Sequence, residues 1–391
     1  MSASAGPLIF LAACEPSGDA LGARLMTALR RRTGGNVRFA GIGGERMTAA
    51  GLESLFPADE LAVMGLVEVL PRIPLVLRRM RQAAAAARTL HPDAIVTIDS
   101  PGFAVGFVRR LGRRRAPRIH YVAPTVWAWR PWRARKFARL FDHLMALLPF
   151  EPAFFEAAGL ACTFVGHAVL ESGANRGDGA AFRSRHAIPP DAPVICVLPG
   201  SRGGEVRRLL PRFAAAVALL GDRFPGLRVV LPTVAGVAAE VRAHAADWAV
   251  PAVVVEGDAE KYGAMAAARA ALAASGTVAL ELALAAVPTV IAYRLNPLTW
   301  AVVNRLVRVD YANLVNLLLH REAVPELLQD NCRGDRLADA VSRLMEDAAA
   351  RDAQLAAVRE ALAMLGAGDA PPSDRAAETV LDQIVRRRGG T

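Results

Sequence analysis

Lysine is nearly missing from this chain: of its 47 basic residues only Lys136 and Lys261 are lysines, the others being arginine. Arginine codons favoured in a GC-rich genome would produce the same skew, so by itself it carries no functional message. Cysteine is almost as scarce. The four cysteines, Cys14, Cys162, Cys196 and Cys332, form no C-x-x-C pair and have no histidine at ligand spacing, which excludes a structural zinc and a disulfide framework and points to a reducing cytosol. Long apolar runs are missing too. The longest candidate, from Ala271 to Ala292, is interrupted by Glu281, whereas a membrane span needs roughly 20 uncharged apolar residues. Leu11-Ala12-Ala13-Cys14 imitates a lipoprotein cleavage box, but no basic residue precedes it before Arg24 and its apolar stretch is too short for a leader. A soluble or peripheral protein is expected.

What is present is ample apolar material. With 391 residues, 53% of them hydrophobic and 21% charged, the chain can bury two cores of ordinary size and is not disordered. Its net charge of +10 attracts nucleic acid, anionic lipid or phosphorylated substrates alike.

Short apolar runs alternate with longer helical patterns, the mark of βαβ units around parallel sheets. Leu8 to Ala12, Val37 to Gly41, Ala94 to Ile98 and Arg118 to Val122 read as strands in the first half. After a first-strand loop, Cys14 to Asp19, a helix is predicted from about Ala20 to Arg31. A polar stretch from Glu171 to Asp178 reads as a linker. Val194 to Leu198, Leu227 to Pro232, Ala252 to Val255 and Ala270 to Ala274 then repeat the strand pattern. Two Rossmann-like domains facing across a cleft follow, with ligands expected beyond the carboxyl ends of the strands. The predicted division is residues 1–175, residues 176–350 and a helical tail, 351–391.

Three strand ends carry candidate chemistry. Asp99 closes the Ala94 run and is placed either as a general base or as a helix cap, and Glu15 and Asp19 flank Ser17-Gly18 at the corresponding end of the first strand. Pro199-Gly200-Ser201-Arg202 lets the backbone approach an anion and adds a guanidinium fork; the same residues also suit a plain turn. Ser275-Gly276-Thr277 precedes a helix predicted to about Ala286, whose free N–H groups suit a phosphate. Glu281 is suited to ribose hydroxyls, and as a carboxylate among apolar neighbours it requires a partner. No Walker loop or G-x-G-x-x-G fingerprint is present. His120 and His167 read as core residues or as direct participants.

From Phe103 to Phe141 there are many arginines and no acid, and Trp127, Trp129 and Trp132 interleave with them. That pattern suits a single-stranded nucleic acid or a membrane interface. The apolar stretch 61–77, followed by Arg78, Arg79 and Arg81, suits a protein that handles lipid at a membrane surface, or a core helix with a basic face.

Taken in order, these segments resemble the lipid-A-disaccharide synthases, inverting glycosyltransferases of the GT-B fold. The resemblance rests on Glu15-Pro16-Ser17-Gly18-Asp19, Gly41-Ile42-Gly43-Gly44, Met64-Gly65-Leu66-Val67-Glu68, Ile98-Asp99-Ser100-Pro101-Gly102-Phe103 and His120 to Arg130. It continues through Leu148-Pro149-Phe150-Glu151, Phe164-Val165-Gly166-His167, Leu198 to Arg202, Ala274 to Thr277 with Glu281, and Asn313 to Leu317. Cys14 stands where the family usually has glycine, and Gly102 where an acid is common. The resemblance implies an enzyme joining UDP-2,3-diacylglucosamine to 2,3-diacylglucosamine 1-phosphate (lipid X), with release of UDP and formation of a β-1,6-linked disaccharide. It implies Asp99 as base, Arg202 on the leaving phosphate and Glu15 near the sugar. Ser17, Gly18, Asp19 and Met64 would bind substrate, as would Gly200, Ser201, Ser275, Gly276, Thr277, Glu281 and Asn316. No cofactor, metal or nucleic-acid partner is implied. The location implied is cytoplasmic, peripheral at the inner membrane, with acyl chains entering along 61–77. The tail would cross back to the first domain or exchange in a homodimer. The remaining alternatives are another UDP-sugar-dependent GT-B enzyme and a basic nucleic-acid-binding protein.

Overall fold

The computed structural model describes residues 6–61, 73–129, 132–296, 300 and 309–389. They form two compact units, Met1–Ala168 together with Gly368–Thr391, and Val169–Ala367. Residues 171–178 fall inside the second unit. Of the tail, the helix Ala348–Met364 lies in the second unit and the helix Pro372–Gly389 in the first.

The first unit holds a six-stranded sheet of β1 (Leu8–Ala13), β2 (Arg38–Ile42), β3 (Ala94–Ile98), β4 (Arg118–Tyr121), β5 (His143–Ala146) and β6 (Cys162–Phe164). Its order is β2-β1-β3-β4-β5-β6 and every pairing is parallel. The second unit repeats the plan with β7 (Val194–Leu198), β8 (Arg228–Thr233), β9 (Ala252–Glu256), β10 (Ala270–Ala274), β11 (Thr289–Tyr293) and β12 (Glu326–Leu328). There the order is β12-β11-β10-β7-β8-β9, again parallel throughout. β1, β3, β7 and β10 are buried along their whole length, as expected of central strands covered by helices on both faces. All eight runs read as strands from the sequence are strands. The four strands it leaves unnamed are β5, β6 and β12, of three or four residues each, and β11, of five.

In each sheet the chain reverses its direction of travel beside the first strand. β1 lies between β2 and β3, and β7 between β8 and β10. A crevice opens at such a point, because the two segments leaving adjacent strands turn to opposite faces of the sheet. Here the segments leaving those strands are Glu15 and the helix start at Pro16 against Asp99-Ser100 in the first unit, and Pro199 to Arg202 against Ser275 to Thr277 in the second.

Helices complete the cores. On one face of the first sheet, Leu25 and Leu29 of the helix Pro16–Arg32 meet Val380 and Ile384 of the C-terminal helix. On the other face Phe10 stacks on Phe107 at 5.7 Å and Phe137 on Phe141 at 5.2 Å. The second unit packs Leu209 and Phe213 of the helix Gly203–Arg223 with Leu337 and Val341 of the helix Gly334–Glu346. All four cysteines are buried thiols. No described helix is long and apolar enough to cross a membrane.

Candidate active site

In the first unit the helix after β1 begins at Pro16, four residues earlier than its periodicity predicted. Proline at the first helical position forgoes no hydrogen bond and arrives with a helical φ. Ser17, Gly18 and Asp19 therefore belong to the first turn of a helix and not to a loop. Ser17 is exposed and donates its hydroxyl to Asp99 Oδ2 at 3.2 Å. Gly18 is buried against the end of β3, where a Cβ would come 3.3 Å from the Ile98 carbonyl oxygen.

Asp99 and Ser100 both have left-handed backbones, with φ of 55° and 43°. Two consecutive non-glycine residues in that region cost on the order of 1–2 kcal/mol each. The surrounding bonds hold them there. Asp99 N–H donates to the Tyr121 carbonyl at 2.9 Å, so the strained turn begins on a paired strand, and Pro101 starts the next helix. The turn folds Asp99 Oδ1 back onto the Ser100 N–H at 2.8 Å and sends the Ser100 hydroxyl to Glu15 Oε1 at 2.7 Å. Glu15, Ser100, Asp99 and Ser17 thus form one hydrogen-bonded group around two carboxylates at the reversal point of the sheet. Ser100 was not singled out from the sequence, although it sits inside the motif that named Asp99. Burial, reinforced by the Glu15 and Asp99 charges, pushes the neighbouring Cys14 thiol up, so it stays protonated beside them.

Asp19 is otherwise engaged. It is buried, and its two oxygens accept the backbone N–H groups of Gly44 at 2.7 Å, Met47 at 3.0 Å and Arg46 at 2.9 Å. Those are the orphan donors of the helix Glu45–Ala49, which Asp19 caps from 25 residues away in sequence. Met64 lies outside the described residues.

His120 and His167 are both buried. His120 Nδ1 meets Thr97 Oγ1 at 2.7 Å while its ring lies tilted beside the stacked pair Phe137 and Phe141, 5.2 Å from each. Burial lowers its pKa to about 3 and that of His167 to about 4. Both stay neutral near pH 7. In the basic segment, Arg110 and Arg118 donate to the carbonyls of Gly106 and Gly112, and Arg114 pairs with Asp142 at 2.9 Å. The Trp127 indole donates to buried Glu151 at 3.1 Å, whose pKa burial raises to about 7.

In the second unit Gly200 has a φ of 107°, and a Cβ there would fall 2.2 Å from Glu205 Oε2. Glycine is required on both counts. Glu205 stands three residues past Arg202, which caps the helix Gly203–Arg223. It reaches back to the N–H groups of Ser201 and Arg202, the acidic half of a capping box. Burial raises its pKa against the pull of Arg202. Ser201 and Arg202 project into solvent.

At the partner loop, Ser275 donates its hydroxyl to the Ala312 carbonyl at 2.9 Å, while Gly276 and Thr277 are exposed, with open space over Gly276. The helix that follows, Val278–Leu284, is only seven residues long and shorter than predicted. Glu281 finds the partner its apolar setting demands: Oε1 accepts from Lys261 Nζ at 2.9 Å and from the Tyr262 hydroxyl at 3.2 Å. The rarity of lysine was the one sequence signal that could have drawn attention to Lys261. Asn316 is fully buried, and its amide is saturated. Nδ2 donates to the Val324 carbonyl and to Glu326 Oε1, both at 2.7 Å, and Oδ1 accepts from Ala323 and Val324, both at 2.8 Å. Among the described residues no three His, Cys, Asp or Glu side chains converge to hold a metal ion.

Each unit therefore presents two segments at its reversal point, one pair acidic and hydroxylated, the other pair glycine-bearing with an exposed guanidinium. That division suits activation of an alcohol by the first unit and binding of an anion by the second.

The family model described as lipid-A-disaccharide synthetase matches residues 9–378. The lipid-A-disaccharide synthase of Rhodospirillum centenum is 58% identical over 382 residues, spanning 97% of this chain and 95% of the relative. Among solved structures, Staphylococcus aureus MnaA with UDP superposes at a TM-score of 0.62 with 13% identity, covering 97% of this chain and 96% of that one. The calicheamicin glycosyltransferase CalG4 does so at 0.58 with 19% identity, covering 97% and 99%. At such identities the structural likenesses establish the fold. The sequence match establishes the rest: the chain belongs to the lipid-A-disaccharide synthase family, glycosyltransferases of the GT-B fold.

Proposed function

We propose that the chain forms the lipid A disaccharide by a single in-line displacement in which Asp99 takes the proton of the acceptor's 6-hydroxyl. The acceptor is 2,3-diacylglucosamine 1-phosphate. As its oxygen forms a bond to the anomeric carbon of UDP-2,3-diacylglucosamine, the bond to the diphosphate oxygen breaks and its electron pair leaves with UDP. One base and one stabilised leaving group suffice for inversion.

The observation that carries this reading is the bonded group of Glu15, Ser100, Asp99 and Ser17, because strain is retained there by bonds that aim a carboxylate. Ser17 and Glu15 then approach the acceptor sugar. Arg202, a rigid fork of donors, takes the departing phosphate, supported by the backbone of Gly200-Ser201 and of Ser275-Gly276-Thr277. Glu281 accepts from the ribose hydroxyls. Asp19 and Asn316 act through the backbones that they hold. We assign the apolar sequence 61–77, Met64 included, to the acyl chains. A peripheral seat on the cytoplasmic leaflet, consistent with the +10 charge, gives lipid substrates access to it.

The test is turnover of both acylated substrates in mixed micelles by purified variants. Asp99→Asn should lower kcat by about 10²- to 10⁴-fold, the span of a general base, with an unchanged circular dichroism spectrum. Near-normal turnover would remove Asp99 from the role. Arg202→Ala should abolish transfer as well, and the unacylated nucleotide sugar should be a poor donor.

A further inference from the structure

Glu281, Lys261 and Tyr262 come from two helices of the second unit, Val278–Leu284 and Asp258–Ala267. Both helices begin at the carboxyl ends of strands, β10 and β9, so they start on the side of the sheet where its ligands are expected. Glu281 and Lys261 are largely buried, their side chains 16% and 22% exposed. The ammonium lies 2.9 Å from Glu281 Oε1 and 3.2 Å from Asp258. Tyr262 gives its hydroxyl to the same Glu281 oxygen and is itself braced by Ser172. Oε1 is thus doubly engaged, while Oε2 takes no hydrogen bond from any described residue.

The Glu281 oxygen that Lys261 and Tyr262 leave open is a carboxylate acceptor, which disfavours a phosphate and favours hydroxyl donors. A carboxylate without such donors would spread over several rotamers and would have to be ordered at the moment of binding, at a cost in affinity.

We infer that Lys261 and Tyr262 are positioning residues for nucleoside recognition, clamping one oxygen of Glu281 so that the other is presented to ribose hydroxyls. The inference rests on the ribose role proposed for Glu281. The clamp makes discrimination between ribose and deoxyribose a property of three side chains.

The experiment is calorimetric binding of UDP and of 2′-deoxy-UDP to the full-length protein and its variants. The wild type should prefer UDP by roughly tenfold or more, the worth of a hydrogen bond to a charged group. Glu281→Ala should bring that ratio close to one. Lys261→Met should reduce it to about twofold, by weakening UDP far more than the deoxy analogue. In turnover the same variant should raise KM for the donor while leaving kcat within about twofold. Tyr262→Phe should reduce the preference part of the way, and it carries the test if Lys261→Met fails to fold.

If Glu281→Ala removes the preference while both clamp variants keep it, the clamp is wrong and the ribose role stands. If Lys261→Met weakens both nucleotides equally, the lysine touches phosphate and the clamp is overturned. If Glu281→Ala itself keeps the wild-type preference, the ribose role falls and takes the clamp with it.

Discussion

His120 illustrates how a residue that reads as chemistry becomes part of the core. With one ring nitrogen on Thr97, two phenylalanines tilted against the ring and no exposure to solvent, it has no room for a hydration shell around a charge. Its native pKa of about 3 lies below the ordinary imidazole value of about 6.5, so an unfolded chain takes up a proton that the native chain refuses. The resulting stability is complete above about pH 6.5 and is lost as the pH falls toward 3. At about 1.4 kcal/mol per pH unit, the loss from this residue between pH 6.5 and 5 should be about 2 kcal/mol. Denaturant unfolding at pH 7 and pH 5 should show that loss in the wild type and a smaller one in His120→Gln; equal losses would contradict it. Asn316 behaves comparably. Its four hydrogen bonds are all internal, so Asn316→Ala strips a partner from the N–H groups of Ala323 and Val324 and from the Val324 carbonyl, and should lower stability by about 2–4 kcal/mol. Refolded Asn316→Ala assayed at saturating donor should recover much of its activity, which an Asn316 acting directly on substrate would not permit.

At the scale of elements, the cap supplied by Asp19 links the first helix to the short helix Glu45–Ala49. A five-residue helix is far below the length that is stable alone, so this one persists because its first N–H groups end on a buried carboxylate. Asp19→Ala should cost about 2 kcal/mol or more. Its first visible effect should be faster amide exchange at Gly44, Arg46 and Met47, with the β3 amides still protected. Exchange spread evenly through the first unit would mean that the cap is not local. The helix Pro16–Arg32 is legible in the sequence through Leu21, Leu25 and Leu29. Its start is less so, because Pro16 and Gly18 resemble turn residues until the packing of Gly18 against Ile98 is known.

At the scale of the molecule, the C-terminal helix Pro372–Gly389 returns to the first unit and supplies Ala376, Ala377, Val380 and Ile384 to its core. Arg32 to Glu378 at 3.1 Å, Arg375 to the Phe164 carbonyl at 2.8 Å and the pair of Arg31 with Asp374 fix its register. Exposed pairs of this kind are worth little singly, so the apolar face carries most of the attachment. A chain ending at residue 367 should therefore lose hydrogen-exchange protection in β1, β3 and β4 while β7, β8 and β10 keep theirs. Loss of protection in both units alike would show that the helix does not serve the first unit specifically.

Alternating apolar runs and helical stretches determined the parallel α/β units, since a strand buried on both faces must be continuously apolar whatever its neighbours. Because loops follow strands, the positions of Asp99, Arg202 and Ser275 at strand ends were legible from sequence as well. Only the tertiary structure decided which of these polar groups are spent inside the protein and which are left to act. Ser17 reaches Asp99 across 82 residues and Ser100 reaches Glu15 across 85, while Asp19 and Asn316 are saturated by backbones they do not adjoin. Hydrogen bonds act over about 3 Å of space without regard to distance along the chain, and a local pattern contains no measure of that space.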